Sequence, residues 1–305
     1  MKKNVGLLLT ISIIAISFAA IFVKWSEAPS SILSMYRMYL ACVLLLPMVY
    51  VKRREFIKLS RREWLFLFVS GVFLALHFAL WFESLKLTTV ASSTIILSLQ
   101  PIVALLGGFI IYKERTSIST LMAIGISLIG VMMVGWGDFG LNSKSVILGD
   151  ILSFLSVIAM VGYLLIGQNK VKQISHWIYS FCVFFFAAIT LNIYNISVGI
   201  PISGYDTREW GIFLLLAIFP TIAHVIYNFL LNYVNTTTVS MSILGEPVGA
   251  TILAVILLGE PVIFLQIAGG FFVLLGVFLF LIQQKKLTKQ NRTAHNSNEF
   301  VKEGS

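Results

Sequence analysis

The chain consists of long apolar stretches separated by short polar segments, and this pattern continues from residue 5 to residue 282. Each stretch is close to the roughly 20 residues that an α-helix needs to cross a bilayer. Apolar residues run on without the polar alternation that is typical of strands in a membrane barrel. The pattern therefore predicts ten transmembrane helices, near residues 5–23, 32–51, 64–83, 88–112, 118–136, 147–167, 175–198, 210–231, 236–258 and 262–282.

The composition agrees with this pattern. Of the 305 residues, 58% are hydrophobic and 11% are charged, whereas soluble domains are about half apolar and a quarter charged. Soluble enzymes, nucleic-acid-binding domains and disordered scaffolds are thereby excluded, and an all-α polytopic membrane protein is predicted. The first apolar run follows Lys2 and Lys3 and also fits a cleaved signal peptide, but the nine further spans favour a retained helix.

The basic residues predict how the chain is oriented. With the N-terminus in the cytoplasm, seventeen of the 22 Lys and Arg residues fall in cytoplasmic segments, six of them in the loop 52–62, and four fall in outer loops. Because Lys and Arg accumulate on the cytoplasmic side, this predicts that both termini are cytoplasmic in a cell (inner or plasma) membrane. Residues 285–305 have no apolar periodicity and are predicted to be a disordered basic cytoplasmic tail.

The two halves of the chain resemble each other when one is shifted by 146 residues. Seven identities then fall between residues 101 and 131, and Pro101 is matched with Pro247. We therefore predict two five-helix repeats, residues 1–140 and 141–284. Because five is odd, the second repeat is inverted relative to the first, an arrangement typical of secondary transporters with a substrate site near the membrane midplane. A duplicated passive channel is the alternative.

The two matched prolines predict helix breaks inside the fourth and ninth spans. Pro101 and Pro247 each remove one helical hydrogen bond, which is expected to free the carbonyls of Leu97 and Ile243. Free carbonyls are costly in hydrocarbon, so the breaks should face protein or a water-filled cavity. A plain packing kink is the alternative interpretation.

Glu246 lies beside Pro247 in the middle of the ninth span. A carboxylate at this depth is costly and is a functional candidate by default. We interpret Glu246 as a candidate proton carrier on a substrate pathway, with a neutral carboxyl that hydrogen-bonds a neighbouring helix as the alternative. Gln100 takes the equivalent place in the first half, which keeps the polarity and loses the charge.

Further polar and aromatic residues share helix faces within the spans. His224, Tyr227 and Asn228 lie on one face of the eighth span, and His77 and Trp81 lie on one face of the third. These residues are candidates for lining the substrate pathway. Packing roles are the alternative for both histidines, and Trp81 also fits the belt of tryptophans at the membrane interface.

Arg37 is the one Lys or Arg residue predicted to lie inside a span, early in the second. It fits a side chain that extends to the outer interface, where its charge would be hydrated. Alternatively, it provides a fixed cation for Glu83 or for an anionic group of a substrate.

Enzymatic and metal-binding motifs were sought and are not found in the sequence. Neither a phosphate-binding loop nor a zinc-protease motif is present, and the two cysteines, Cys42 and Cys182, cannot form a disulfide framework or a metal site. A GxGD motif ends at Asp138 and a Tyr-Asp pair at Asp206, as in intramembrane aspartyl proteases. Such enzymes need two buried aspartates, whereas these lie in outer loops and in reversed order. We expect no catalytic residue, metal or cofactor.

Each half carries a proline followed by a glutamate at the end of the same span, in residues 100–114 and again in residues 246–260. With Arg37 in the second span and the sequence Gly-Asp-Ile-Leu at residues 149–152, the chain resembles the EamA-type members of the drug/metabolite transporter superfamily. The resemblance covers roughly residues 5–282.

The resemblance implies an inner-membrane secondary carrier, often an exporter of amino acids or other small metabolites. It also implies a central cavity walled mainly by spans one to four and six to nine, with spans five and ten peripheral. The chain departs from the family pattern at Gln100, where glutamate is commoner, and at Lys113, where glycine is commoner.

The sequence thus predicts a secondary transporter that exports a small metabolite, such as an amino acid or a drug-like compound, by alternating access. Proton coupling through Glu246 is left open. A non-transporting membrane scaffold or chaperone-like protein is the alternative, and an intramembrane enzyme fits least. The expected partners are a small-molecule substrate and the lipid bilayer, without nucleic acid, and a homodimer is also left open.

Overall fold

The computed structural model describes residues 5–113, 117–139, 144–171, 173–233, 236, 239–240, 243, 245–276, 278–279 and 282–283. The tail predicted at residues 285–305 and Glu114 of the repeat pattern lie outside these residues. The described helices are α1 (Val5–Trp25), α2 (Ser30–Lys52), α3 (Arg61–Leu87), α4 (Val90–Leu97), α5 (Gln100–Tyr112), α6 (Ile118–Phe139), α7 (Lys144–Lys170), α8 (His176–Val198), α9 (Thr207–Leu230), α10 (Gly245–Leu258) and α11 (Phe264–Gly276). A short 3-10 helix, Arg53–Lys58, follows α2.

Six helical stretches of the described chain are long and apolar enough to cross a membrane. They are Ser30–Phe56, Arg61–Leu87, Val90–Ile111, Lys144–Gln168, His176–Val198 and Thr207–Leu230. Shorter apolar helices occupy parts of the other four predicted spans. The all-α class with several membrane-spanning helices is therefore confirmed, whereas the count of ten spans stays a prediction.

The helices of the two halves begin at positions 146 residues apart. The paired first residues are Ser30 of α2 and His176 of α8, Arg61 of α3 and Thr207 of α9, and Ile118 of α6 and Phe264 of α11. Even the caps correspond, because Ser60 and Asp206 accept the backbone N–H of Glu63 and Glu209 at the starts of α3 and α9. The repeat seen in residues 101–131 therefore extends through both halves.

The equivalent helices α5 and α10 end at opposite ends of the bundle. Near the end of α5, Ile111 lines a groove with Ser60 and Lys170. We call this end, which carries the basic loop 52–62, the basic end. Just after α10, Glu260 accepts a hydrogen bond from the N–H of Val90 at 2.8 Å. Because α3 runs from beside Ser60 to just before Val90, that contact lies at the far end of the bundle, as inverted repeats require.

The same backbone conformation closes both of these helices. Lys113 caps α5 with φ 57° and ψ 29°, and Gly259, 146 residues later, has φ 65° after α10. A left-handed conformation costs a residue with a side chain about 1–2 kcal/mol, and glycine avoids this cost. Lys113, where glycine is commoner in the family, therefore adopts a left-handed conformation at a cost that its counterpart Gly259 avoids.

Helices α6 and α11 pack against each other through small residues. A Cβ atom added to Gly130 of α6 would lie 2.5 Å from the carbonyl oxygen of Gly269. Its counterpart in the repeat, Gly276 of α11, is packed as closely against Ser127 of α6. Close contact of this kind is typical of membrane helix pairs, in which small residues allow backbones to approach.

The inverted arrangement predicts a difference in labelling between two engineered cysteines. Lys113→Cys and Pro261→Cys place thiols on exposed positions at the basic end and the far end, while the native Cys42 and Cys182 are buried. On whole cells, an impermeant thiol reagent is expected to label only position 261, because the basic loops predict that the basic end faces the cytoplasm. Labelling at position 113, or at both positions, would contradict the orientation; labelling after membrane rupture serves as the control.

Candidate functional site

The fourth predicted span is broken where its proline lies. Helix α4 ends at Leu97 and α5 begins at Gln100. Between them, the N–H groups of Ser98 and Leu99 donate to carbonyls three residues earlier, each at 3.0 Å. The break is thus a tight 3-10 turn, a form that commonly ends an α-helix.

The second repeat is broken at the equivalent place. Residues 236, 239 and 240 are helical, residue 243 is in a turn, and α10 begins at Gly245. The N–H of Glu246 donates to the carbonyl of Ile243 at 2.9 Å. The prediction of a free Ile243 carbonyl is therefore wrong, because a three-residue hydrogen bond replaces the four-residue one that Pro247 removes.

Both breaks border one buried cavity at the centre of the bundle. It encloses about 260 Å³ of empty space, of which about 10 Å³ admits the centre of a water molecule. That is about the room that one water requires. The lining comprises Ile16, His77, Trp81, Leu97, Gln100, Met160, His224, Tyr227, Ile243 and Glu246.

The cavity unites six of the eight candidate residues predicted from the sequence: His77, Trp81, Gln100, His224, Tyr227 and Glu246. Arg37 and Asn228 are buried but are not part of its lining. The lining residues belong to α1, α3, α4, α5, α7, α9 and α10 and to the turn at residue 243. Helices α6 and α11 contribute none of the described lining, as expected for peripheral spans five and ten, but α2 and α8 contribute none either. The lining thus departs at spans two and seven from the cavity wall that the family resemblance implies.

Several polar atoms around the cavity are buried without a partner in the described part of the chain. They are Oε1 of Glu246, Nδ1 of His224, the hydroxyl of Tyr227 and Nε1 of Trp81. All four side chains are at most 2% exposed. Because each buried polar group without a hydrogen bond costs about 1–3 kcal/mol, such a cluster is typical of a site that completes its hydrogen bonds with a ligand or water.

Arg37 adds a buried positive charge next to this cluster. Its side chain is fully buried, and none of its three guanidinium nitrogens has a hydrogen-bond partner among the described residues. The guanidinium carbon lies 3.6 Å from the centre of the Phe78 ring. The interpretation that Arg37 extends to the interface is therefore wrong. Glu83, the other suggested partner, is exposed and forms no ion pair with it.

Glu246 is the one acidic residue in the described lining of the cavity. Its carboxyl and the Arg37 guanidinium are not within ion-pair distance of each other. The interior thus contains a basic and an acidic side chain that form no ion pair with each other. A pair held for stability would be in contact, because removing charges from water is costly unless the partners bond directly.

Two other predicted residues, Asn228 and Gln100, form hydrogen bonds within the bundle. Asn228 accepts from the hydroxyl of Tyr163 at 2.5 Å and donates to Oγ of Ser180 at 2.8 Å. It therefore joins α7, α8 and α9 behind the cavity. Gln100 donates to Oγ of Ser240 at 3.3 Å and so links the two helix breaks.

His77 and Trp81 form a stacked pair on the cavity wall. Nδ1 of His77 donates to the carbonyl of Ser156 at 3.0 Å, which fixes the ring. Its plane lies 16° from that of Trp81, with 5.8 Å between ring centroids. Trp81 is 1% exposed and lies inside the bundle, not in an interfacial belt.

Two residues that sequence reasoning missed complete the site. Phe78 supports the Arg37 guanidinium, and Tyr163 of α7 binds Asn228. The 146-residue shift predicts the first of these, because it matches Phe78 with His224 and Trp81 with Tyr227. Nothing in the sequence singles out Tyr163, since its role depends on how α7 packs against α9.

Polar contacts close the bundle at the far end. Nζ of Lys24 lies 3.1 Å from Oε1 of Glu260 and donates to the carbonyl of Thr88 at 2.9 Å. The other carboxylate oxygen of Glu260 accepts the N–H of Val90. The ends of α1 and α10 are thereby tied to the start of α4.

The basic end is closed by different groups. The N–H of Thr236, the counterpart of Val90, donates to Oε1 of Gln168 at 2.6 Å, and its hydroxyl donates to the carbonyl of Leu164 at 3.1 Å. Lys170 is the counterpart of Lys24 and donates to Oε1 of Gln173 at 3.1 Å. The two ends are therefore related by the repeat but are held by unlike contacts.

Comparison with known proteins agrees with this arrangement. The model of the EamA-like transporter family matches the chain twice, over residues 4–136 and 147–282. The chain belongs to this family. Because the two matches cover both halves, the duplication seen in the helix positions is a duplication of the family's own domain.

Individual relatives cover most of the EamA chain. An uncharacterized transporter of Archaeoglobus fulgidus is 27% identical over 289 residues, which is 93% of this chain and 98% of that protein. Another, from Clostridium kluyveri, is 23% identical over 267 residues, 85% of each. A solved crystal structure with 16% identity covers 94% of this chain and 99% of its own, with a TM-score of 0.70, and shows the same fold.

The family and the apolar helices together identify a multi-pass membrane transporter. The names of the relatives favour transport over catalysis. Within the described residues, no group of three or more His, Cys, Asp or Glu side chains is placed to bind a metal ion.

Proposed function

We propose that this EamA protein is a secondary carrier that exports a small zwitterionic metabolite, of the amino-acid class, by alternating access around the central cavity. The supporting observation is the buried guanidinium of Arg37 without a partner, with the carboxyl of Glu246 apart from it. A substrate with a carboxylate and an ammonium group would satisfy both charges at once. Its charges would balance those of the site, which a lipophilic cation or a neutral nucleoside would not do.

The helix breaks support binding of the substrate carboxylate. Gln100 and Glu246 lie in the first turns of the half-helices α5 and α10 and line the cavity. Helix N-termini carry partial positive charge and are used by transporters with broken helices to hold anionic substrate groups. In this proposal, the carboxylate binds Arg37, and the ammonium group binds Glu246.

The size of the cavity indicates which step of the cycle the structure represents. Ligand pockets have volumes of about 300–1,000 Å³, whereas this cavity has room for about one water. We assign the structure to a closed, substrate-free conformation, in which the contacts of Lys24 and Glu260 seal the far end. Opening of the far end requires these contacts to break.

The proposal also includes the orientation of the protein in the membrane and the energy source for export. With the basic end in the cytoplasm, the far end opens to the outside of a cell membrane, and both termini are cytoplasmic. Proton coupling would follow if Glu246 binds either a proton or the substrate ammonium group but not both. Each substrate exported would then be exchanged for one proton.

Flux into proteoliposomes tests the proposal. Labelled amino acids, nucleosides and lipophilic cations are compared with and without a pH gradient, using protein shown to be folded. We expect saturable flux of an amino acid that depends on the pH gradient. Nucleosides and lipophilic cations should show no such dependence. Flux of lipophilic cations alone would contradict the zwitterionic substrate, and the absence of flux for every compound would favour the non-transporting scaffold.

A further inference from the structure

A second site lies on the lateral surface of the protein, away from the central cavity. A groove with about 1,570 Å³ of empty space runs between the start of α3, the end of α5 and the second half of α7 at the basic end. Its floor is apolar and includes Phe66, Phe73, Ile111, Leu165 and Ile166. Such a floor suits acyl chains better than water.

The rim of the groove carries two cations that converge on one aromatic ring. The guanidinium carbon of Arg62 lies 5.7 Å from the centre of the Phe66 ring, and Nζ of Lys170 lies 4.7 Å from the same point. Neither forms a salt bridge with a residue that the structure describes. Two positive charges therefore stand together at the mouth of an apolar groove.

The nearest acidic side chain on the rim has other partners. Both the N–H and the hydroxyl of Ser60 donate to Oε2 of Glu63, at 2.7 Å each. This capping box fixes the Glu63 carboxylate at the start of α3. Among the described residues, Arg62 and Lys170 thus have no carboxylate in salt-bridge contact, and a ligand anion would complete the rim.

The depth of the groove in the membrane indicates the source of that anion. Helix α3 starts at Arg61, and Trp64 in its first turn is partly exposed, as is typical of tryptophans at the lipid headgroup level. The cytoplasmic leaflet is rich in anionic lipids, and basic pockets between helices on that side bind their headgroups. A phospholipid of that leaflet supplies both a phosphate and acyl chains.

We propose that this groove binds one anionic phospholipid, with its phosphate between Arg62 and Lys170 and an acyl chain along Phe66, Phe73 and Ile111. The lipid would contact α3 and α5 of the first repeat and α7 of the second. It is therefore placed to hold the two repeats together at the basic end. This site does not depend on the identity of the transported substrate.

Native mass spectrometry of the purified full chain tests the site. Phosphatidylglycerol and phosphatidylcholine with the same acyl chains are titrated separately. We expect one phosphatidylglycerol to bind with higher affinity than phosphatidylcholine. In the Arg62→Gln/Lys170→Gln variant, this affinity should fall about 30-fold, because each basic residue contributes about a factor of five near an anionic lipid surface.

A matched control removes the same charge from the same end of the protein. The Arg53→Gln/Arg54→Gln variant changes two exposed residues outside the groove and should bind phosphatidylglycerol as the wild type does. An equal loss in this control would reduce the effect to net charge and overturn the proposal. The proposal would also be overturned if phosphatidylcholine bound with equal affinity or if inorganic phosphate displaced the lipid completely. Binding of a second copy of the chain instead of the lipid would overturn it as well. Comparing the two lipids on the wild type tests the proposal even without the variants.

Discussion

Replacing Arg37 by methionine is expected to lower substrate flux about 100-fold, because loss of a buried charge that binds an oppositely charged group costs several kcal/mol. The same change should leave the melting temperature of the substrate-free protein unchanged or raise it. The guanidinium has no hydrogen-bond partner in the described part of the chain, and methionine of similar size can pack against Phe78. Initial flux in proteoliposomes and thermal unfolding in detergent measure the two effects.

The opposite response of activity and stability separates a binding role of Arg37 from a packing role. If Arg37 only supports the fold, flux and melting temperature should fall together, which would contradict the prediction. Arg37→Lys keeps the charge but not the planar fork that fits a carboxylate, so it should restore only part of the flux. Arg208→Met, the same change at an exposed far-end residue, is the matched control and should keep wild-type flux.

The contacts at the two ends of the bundle suggest how the repeats exchange roles during transport. At the far end, Lys24 pairs with Glu260, which also holds the N–H of Val90. At the basic end, the corresponding Lys170 and Thr236 are held by glutamine side chains instead. In the proposed alternating-access cycle, these unlike contacts would give the two closed ends different stabilities and would have to break in turn.

Much of the architecture could be predicted from the sequence because the bilayer imposes a length and a composition on every span. The starts of α2, α3, α8 and α9 fall within a few residues of the predicted spans. The helix breaks were also predicted, since Pro101 cannot continue the hydrogen-bonding of α4. The presence of a proline did not predict which hydrogen bonds form at the break. The carbonyl of Ile243 in fact accepts one from the N–H of Glu246.

The composition of the site was predictable only in part. Intramembrane polar residues are few, so Glu246, His224 and His77 stand out in the sequence. Which of them have partners depends on contacts between distant helices, such as the hydrogen bond from His77 to Ser156 of α7. The burial of Arg37 could not be predicted either, because a position early in a span suits both an interfacial and a buried side chain.

Glu246→Gln should abolish pH-gradient-driven accumulation while sparing exchange of labelled for unlabelled substrate. At one proton per substrate, a gradient of one pH unit supports about tenfold accumulation, and the variant should fall to the level without a gradient. Glutamine can still accept a hydrogen bond from the substrate ammonium group, but it cannot exchange that group for a proton. Gln100 occupies the equivalent position in the first repeat, so the fold already accommodates an amide at such a break.

The control for this prediction is Glu27→Gln, which makes the same change in an exposed carboxylate at the far end. It should retain the full gradient response, so that an effect confined to Glu246 can be assigned to the cavity. Unchanged accumulation in Glu246→Gln would refute a coupling role of Glu246 and would assign proton coupling to another group. Loss of both accumulation and exchange would instead mean that the carboxylate is needed to bind substrate at all. That outcome would place the ammonium site at Glu246 and would remain compatible with competition between the proton and the substrate for its carboxylate.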